Sequence, residues 1–96
     1  MTDAFVPFSR ALLASASAAG CSAIIEAAEA RDWASATFTG QQHRLHLRIA
    51  AGQATTAWLA ALPEVEWRLP RNLVAHLAVE TSGNRTIVTA LTIHEA

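Results

Sequence analysis

ASATFTGQQHRLHLRI, residues 34–49, decides how this chain reads. Ala34, Ala36 and Phe38 alternate with Ser35, Thr37 and Thr39, and Leu45, Leu47 and Ile49 alternate with Arg44, His46 and Arg48. A period of two is the mark of a strand with one side buried and the other wet. Gly40-Gln41-Gln42 lies between the two runs and has turn chemistry, so the stretch predicts an antiparallel hairpin. Its leucines define a core side. Arg44, His46 and Arg48 define an outer side.

Working outward, Ala23 to Arg31 reads as a preceding strand opened by Ile24 and Ile25, with Arg31-Asp32 as a turn or bulge. Before it, Phe5, Phe8, Leu12 and Ala16 recur at helical spacing, which predicts a helix over residues 8–19. Pro7 suits its first turn and Gly20 its C-terminal stop. After the hairpin, Gly52 breaks the strand, Thr55 or Thr56 can cap a short helix running to Leu62, and Pro63 closes it. Val65, Trp67 and Leu69 then alternate with Glu66 and Arg68. Pro70-Arg71-Asn72 is a turn, and Leu73, Ala75, Leu77 and Val79 form a further strand with His76 and Glu80 on its other side. Thr81-Ser82-Gly83-Asn84 is a turn signal before a final Thr-, Ile- and Val-rich strand over residues 86–95.

The order is α-β-β-β-α-β-β-β, an α+β fold with two helices packed on one face of a mainly antiparallel sheet. The two halves match in layout, which points to an internal pseudo-duplication. Residues 1–96 are expected to form one domain. The expected core is Phe8, Leu12, Ile25, Phe38, Leu45, Leu47, Ile49, Trp58, Leu62, Trp67, Leu77 and Val79. In element order alone, the helix-then-three-strands repeat resembles one domain of the DNA sliding clamps. Clamp helices present basic residues to DNA, whereas the helical segments here carry Arg10 as their one charge, so the resemblance speaks to layout and not to function.

Only 16% of the 96 residues are charged, while 52% are hydrophobic. Every basic residue is arginine, and alanine is abundant, as a GC-rich bacterial genome would produce. The formal net charge is −1, and protonating the four histidines would bring it to +3. Such a balance supplies no general field for nucleic acid or an anionic membrane. Cys21 is the single cysteine, so no internal disulfide can form. The small apolar run from Ala11 to Ala19, ending in Ala18-Ala19-Gly20-Cys21, has the look of a lipoprotein cleavage box. Its positive charge is weak and its large apolar residues few, so a cytoplasmic protein is the main expectation. No stretch approaches the ~20 apolar residues of a membrane span.

No phosphate-binding loop, dinucleotide fingerprint, nucleophile elbow or zinc-protease motif occurs. No catalytic residue, cofactor or metal is therefore expected. His43 and His46 form an H-x-x-H pair, but residues three apart on a strand point to opposite faces. His46, His76 and His94 share the polar parity of their strands and would converge only if the register allowed it. Arg44, His46, Arg48 and Arg68, with His76 and His94, are the candidate ligand- or partner-binding residues on the sheet's outer face. Nucleic acid is disfavoured, because Trp58 and Trp67 have core parity and leave only Trp33 to stack a base.

The remaining signal is missing charge. No charged residue lies between Arg10 and Glu26, or between Arg48 and Glu64, and these gaps hold both helices. A monomer's surface helix normally shows a charged stripe. The expectation is a non-catalytic interaction module that forms a homodimer through its helices, with Leu13 and Leu59 in the interface, with or without a further protein partner. The competing reading is a small enzyme or ligand-binding domain working through the His- and Arg-bearing face.

Overall fold

The computed structural model describes residues 4–82 and 85–95. Helix α1 (Phe5–Ala18) begins three residues earlier than its periodicity predicts. Pro7 still falls within the first turn, where its missing N–H costs nothing. Phe8, Ser9, Leu12 and Ala16 form its buried stripe. The helix ends as expected: Gly20 takes φ 82°, the Cys21 amide donates to the Ala16 carbonyl at 2.8 Å, and the Gly20 amide donates to that of Ser17 at 3.0 Å. That pair of bonds is a Schellman cap, which needs a residue without a Cβ penalty in the left-handed region.

Four strands follow, not six. Strands β1 (Ala23–Ala34) and β2 (Thr39–Ile49) make one long hairpin, and β3 (Asn72–Ser82) and β4 (Arg85–His94) make another. The sheet is antiparallel throughout, in the order β1-β2-β4-β3. The expected break at Arg31-Asp32 is absent: Arg31 pairs with Gln42 and Asp32 with Gln41 inside a continuous ladder. The turn therefore moves from Gly40 to residues 35–38. There the Ser35 hydroxyl accepts the amides of Thr37 (3.4 Å) and Phe38 (3.1 Å), a side-chain turn that replaces glycine chemistry. Phe38, assigned to the core by parity, sits at that tip and is 51% exposed.

The second missing strand is the one expected around Val65, Trp67 and Leu69. A 3₁₀ turn (Leu62–Glu64) with Pro63 in it runs into a segment whose one sheet contact is a bridge between Leu69 and Asn72. Pro70 cannot donate to a ladder, and this segment instead lays Trp67 edge-on against Phe8, ring centroids 5.8 Å apart. With two strands per helix, the element order shared with sliding-clamp domains does not hold. Helix α2 (Gln53–Ala61) starts at Gly52 without a side-chain cap: the Thr55 hydroxyl bonds back to the Ala50 carbonyl at 2.6 Å, and that of Thr56 to Gly52 at 3.1 Å. The turn expected at Thr81-Ser82-Gly83-Asn84 falls partly outside the described residues.

One hydrophobic cluster lies between the helices and one face of the sheet. It holds Phe8, Leu12, Ala16, Cys21, Leu45, Leu47, Trp58, Leu62, Leu77, Val88 and Ala90, with Ile25, Ile49, Trp67 and Val79 partly buried around it. The Trp58 indole donates to the Ser15 hydroxyl at 3.0 Å and ties the two helices together. The Ala4 amide donates to the Gln41 side-chain carbonyl at 3.0 Å and pins the start of α1 to β2. No described helix is long and apolar enough to cross a membrane.

Candidate functional site

In an antiparallel ladder, directly paired residues share a face. On the side under the helices, β2 presents His43, Leu45 and Leu47, and β4 presents Thr86, Val88, Ala90 and Thr92, all buried. His43 Nε2 lies 2.9 Å from the Thr92 hydroxyl there, and its ring packs against Phe8 at 5.4 Å. Among the described residues, no helix covers the opposite face. Its pairings form rows across the four strands in sheet order: Trp33–Gly40–Ile93–Leu73, Arg31–Gln42–Leu91–His76, Glu29–Arg44–Thr89–Ala78, Ala27–His46–Ile87–Glu80 and Ile24–Arg48–Arg85–Ser82.

Two features of this open face stand against ordinary solvation. Strand β4 turns its larger side chains outward: Ile87, Leu91 and Ile93 belong to the open face, whereas Thr86, Ala90 and Thr92 go to the core. Leu73 and Ile24, at opposite edges, are 51% and 59% exposed. The β1–β2 half of the face is instead polar, with Arg31, Gln42, Arg44, His46 and Arg48. Among the described residues, the one ion pair joins Arg48 to Glu26 at 2.6 Å, and both partners are well exposed. A concavity of about 640 Å³ sinks into the middle of the face, with Arg31, Gln42, Arg44, His76 and Thr89 in its lining.

The residues singled out by sequence separate as follows. Arg44, His46 and Arg48 do form one outward strip on β2, and His76 joins them from β3. Arg68 belongs to the irregular segment before β3 and is not on the face. His94 pairs with buried Asn72 on the helix side, and His46 and His76 lie two rows apart. The three imidazoles do not converge, because strand parity leaves the relative register of three strands undetermined. Among the described residues, no trio of His, Cys, Asp or Glu side chains is grouped as a metal site. His43 and His46 occupy opposite faces, as their spacing requires.

His94 borders a second hollow, about 330 Å³, at the Gly40 end of the sheet with Asp32, Gln41, Asn72 and Thr92, and His94 Nδ1 is buried without a hydrogen-bond partner. Gly40 is obligatory there, since a Cβ would run into the Thr92 carbonyl oxygen. Leu59, expected to face outward, is half-buried and packs on the core cluster; Leu13 is half-buried on α1.

Sequence reading missed the apolar half of the open face. Alternation of Ile87, Leu91 and Ile93 against Thr86, Thr92 and His94 was available as a signal, but it names the wrong side as core. Compared with protein-family models, curated proteins and solved structures, the chain matches none.

Proposed function

We propose that this chain is a non-catalytic interaction module, one domain built from an α-β-β unit used twice, that self-associates through the open face of its sheet. The observation that carries the reading is the orientation of β4, which gives Ile87, Leu91 and Ile93 to the bare side and smaller residues to the core. A strand covered on one side only would gain by the reverse arrangement. Half-buried Ile87, Leu91 and Ile93 on an uncovered face, with exposed Leu73 and Ile24 at its edges and charged residues around them, have the composition of an association surface.

A second copy is the occupant that the dimensions favour. Four strands at ~4.8 Å spacing and ten residues at ~3.3 Å give a face of roughly 600 Å². Two such faces would bury about 1,200 Å², the lower end of the range for stable interfaces. The repeated unit is supported by the bulges: each outer strand is interrupted at its fourth residue, Glu26 in β1 and Ala75 in β3, and each inner strand pairs with the other. The buried free thiol of Cys21 suits a reducing compartment, and we assign the chain to the cytoplasm.

Light scattering at tens of micromolar tests the reading. The expected mass is twice that of the chain, falling to the monomer value in Leu73→Glu and Leu91→Arg. A monomeric unsubstituted protein would sink self-association. A dimer that survives both changes but dissociates in Leu13→Glu would move the interface to the helix layer.

A further inference from the structure

We infer that the concavity in the open face binds a small organic anion, its carboxylate or phosphate head held between Arg31 and Arg44. The pairing places these two arginines diagonally on adjacent strands: Arg31 is opposite Gln42, and Arg44 is two residues further along β2. Diagonal neighbours have Cβ atoms about 7–8 Å apart, within reach of two long guanidinium side chains closing on one oxyanion. Among the described residues neither arginine is in an ion pair; Glu29 lies opposite Arg44 and also lines the concavity, where the two arginines outnumber it, and the face's one acidic contact runs from Glu26 to Arg48 instead. A guanidinium is the side chain best suited to bidentate contact with such a head group.

Gln42 lies between the two arginines and Thr89 lies beside Arg44, adding uncharged hydrogen-bonding groups to the same wall. The hollow of about 640 Å³ far exceeds an inorganic ion, and its floor continues over Leu91 to His76 at the far rim. The ligand therefore has an apolar body and a group near His76 as well as its charged head. On the open face as a whole, Arg31, Arg44, Arg48 and Arg85 outnumber Glu26, Glu29 and Glu80 by one before either histidine is protonated. The inference rests on the polar half of the open face, which the self-association proposed above would cover, so binding is measured on the Leu73→Glu variant as well as on the unsubstituted chain.

Titration calorimetry on the full chain with benzoate, phenyl phosphate and the neutral analogue benzamide tests it, with oligomeric state followed in parallel by light scattering. Benzoate or phenyl phosphate should bind at least about tenfold more tightly than benzamide at equal ionic strength, and whichever acid is tighter identifies the head group. Arg31→Gln with Arg44→Gln should weaken that binding about tenfold or more, while Arg48→Gln, which removes an arginine already paired, leaves it within twofold. Equal binding of benzamide, no binding of either acid at millimolar concentration, or an unaffected double variant would overturn the proposal. The comparison of acids with the amide uses the unsubstituted chain, so it stands even should the double variant fail to fold. A dimer that binds neither acid would leave the proposed self-association intact and remove only this site.

Discussion

The two faces of the sheet are built from the same strands by opposite rules. Under the helices, β2 and β4 contribute Leu45, Leu47 and Val88 together with small or polar residues, and the Thr92 hydroxyl and His43 Nε2 are hydrogen-bonded within that layer. On the bare side, β4 shows Ile87, Leu91 and Ile93 to a surface where β2 shows three charged or titratable side chains, Arg44, His46 and Arg48. The difference teaches that burial in one chain does not follow hydrophobicity position by position. Phe8 and Leu12 of α1 share the covered layer with Leu45, Leu47, Val88 and Ala90, and Thr86 and Thr92 are buried on the same side. Strand β1 belongs fully to neither regime. Beyond Ile25 its residues 26–32 are exposed on both sides, an edge protected by a bulge and by Glu26, Glu29, Arg31 and Asp32.

The contrast is breakable by experiment. Leu45→Ala on the covered side should cost about 2–5 kcal/mol in urea unfolding, because a fully buried leucine leaves a cavity. Leu91→Ala on the open side, measured on the monomeric Leu73→Glu background, should cost less than about 1.5 kcal/mol. Equal losses would mean that both faces are core and would refute the distinction. Gly40→Ala, on β2 against β4, should cost on the order of 2 kcal/mol, since the added Cβ meets the Thr92 backbone carbonyl and backbone, not a flexible side chain, must give way. A neutral result would place that strand pair further apart. The smallest effect is expected for Ser9→Ala. The Ser9 hydroxyl is buried on α1 without a partner, so its removal should leave stability unchanged or raise it by up to about 1 kcal/mol in thermal unfolding. Destabilisation would show that the covered layer is more polar in practice than its contacts indicate.

Legibility of the sequence differed along the chain for identifiable reasons. Helix α1 and its Gly20 stop were readable because both rest on local signals, the spacing of Phe8, Leu12 and Ala16 and a glycine at a cap. The β2 alternation was readable for the same reason, and it placed Arg44, His46 and Arg48 together on one side. Phe38 was misassigned because β1 runs on through Arg31-Asp32 and shifts the turn, and a turn stabilised by the Ser35 hydroxyl leaves no glycine to find. Trp67 was read as a strand residue because Val65, Trp67 and Leu69 alternate; no partner strand lies beside them, and alternation cannot report that. His76 could be placed on a polar face but not at the far end of the Arg31–Gln42–Leu91 row, because that requires the register of four strands.

Local chemistry alone therefore determined the two helices, the strand character of β2, β3 and β4, the α+β class and the outward strip on β2. These depend on side-chain period and on residues that start or stop an element, interactions spanning a few positions. Only the tertiary structure decided that the expected six strands are four, that β2 pairs with β4 at the centre, that His94 turns away from His46 and His76, and that Ile87, Leu91 and Ile93 face outward. Each of these is a choice between partners distant in sequence, set by strand register and by which side of the sheet the helices cover.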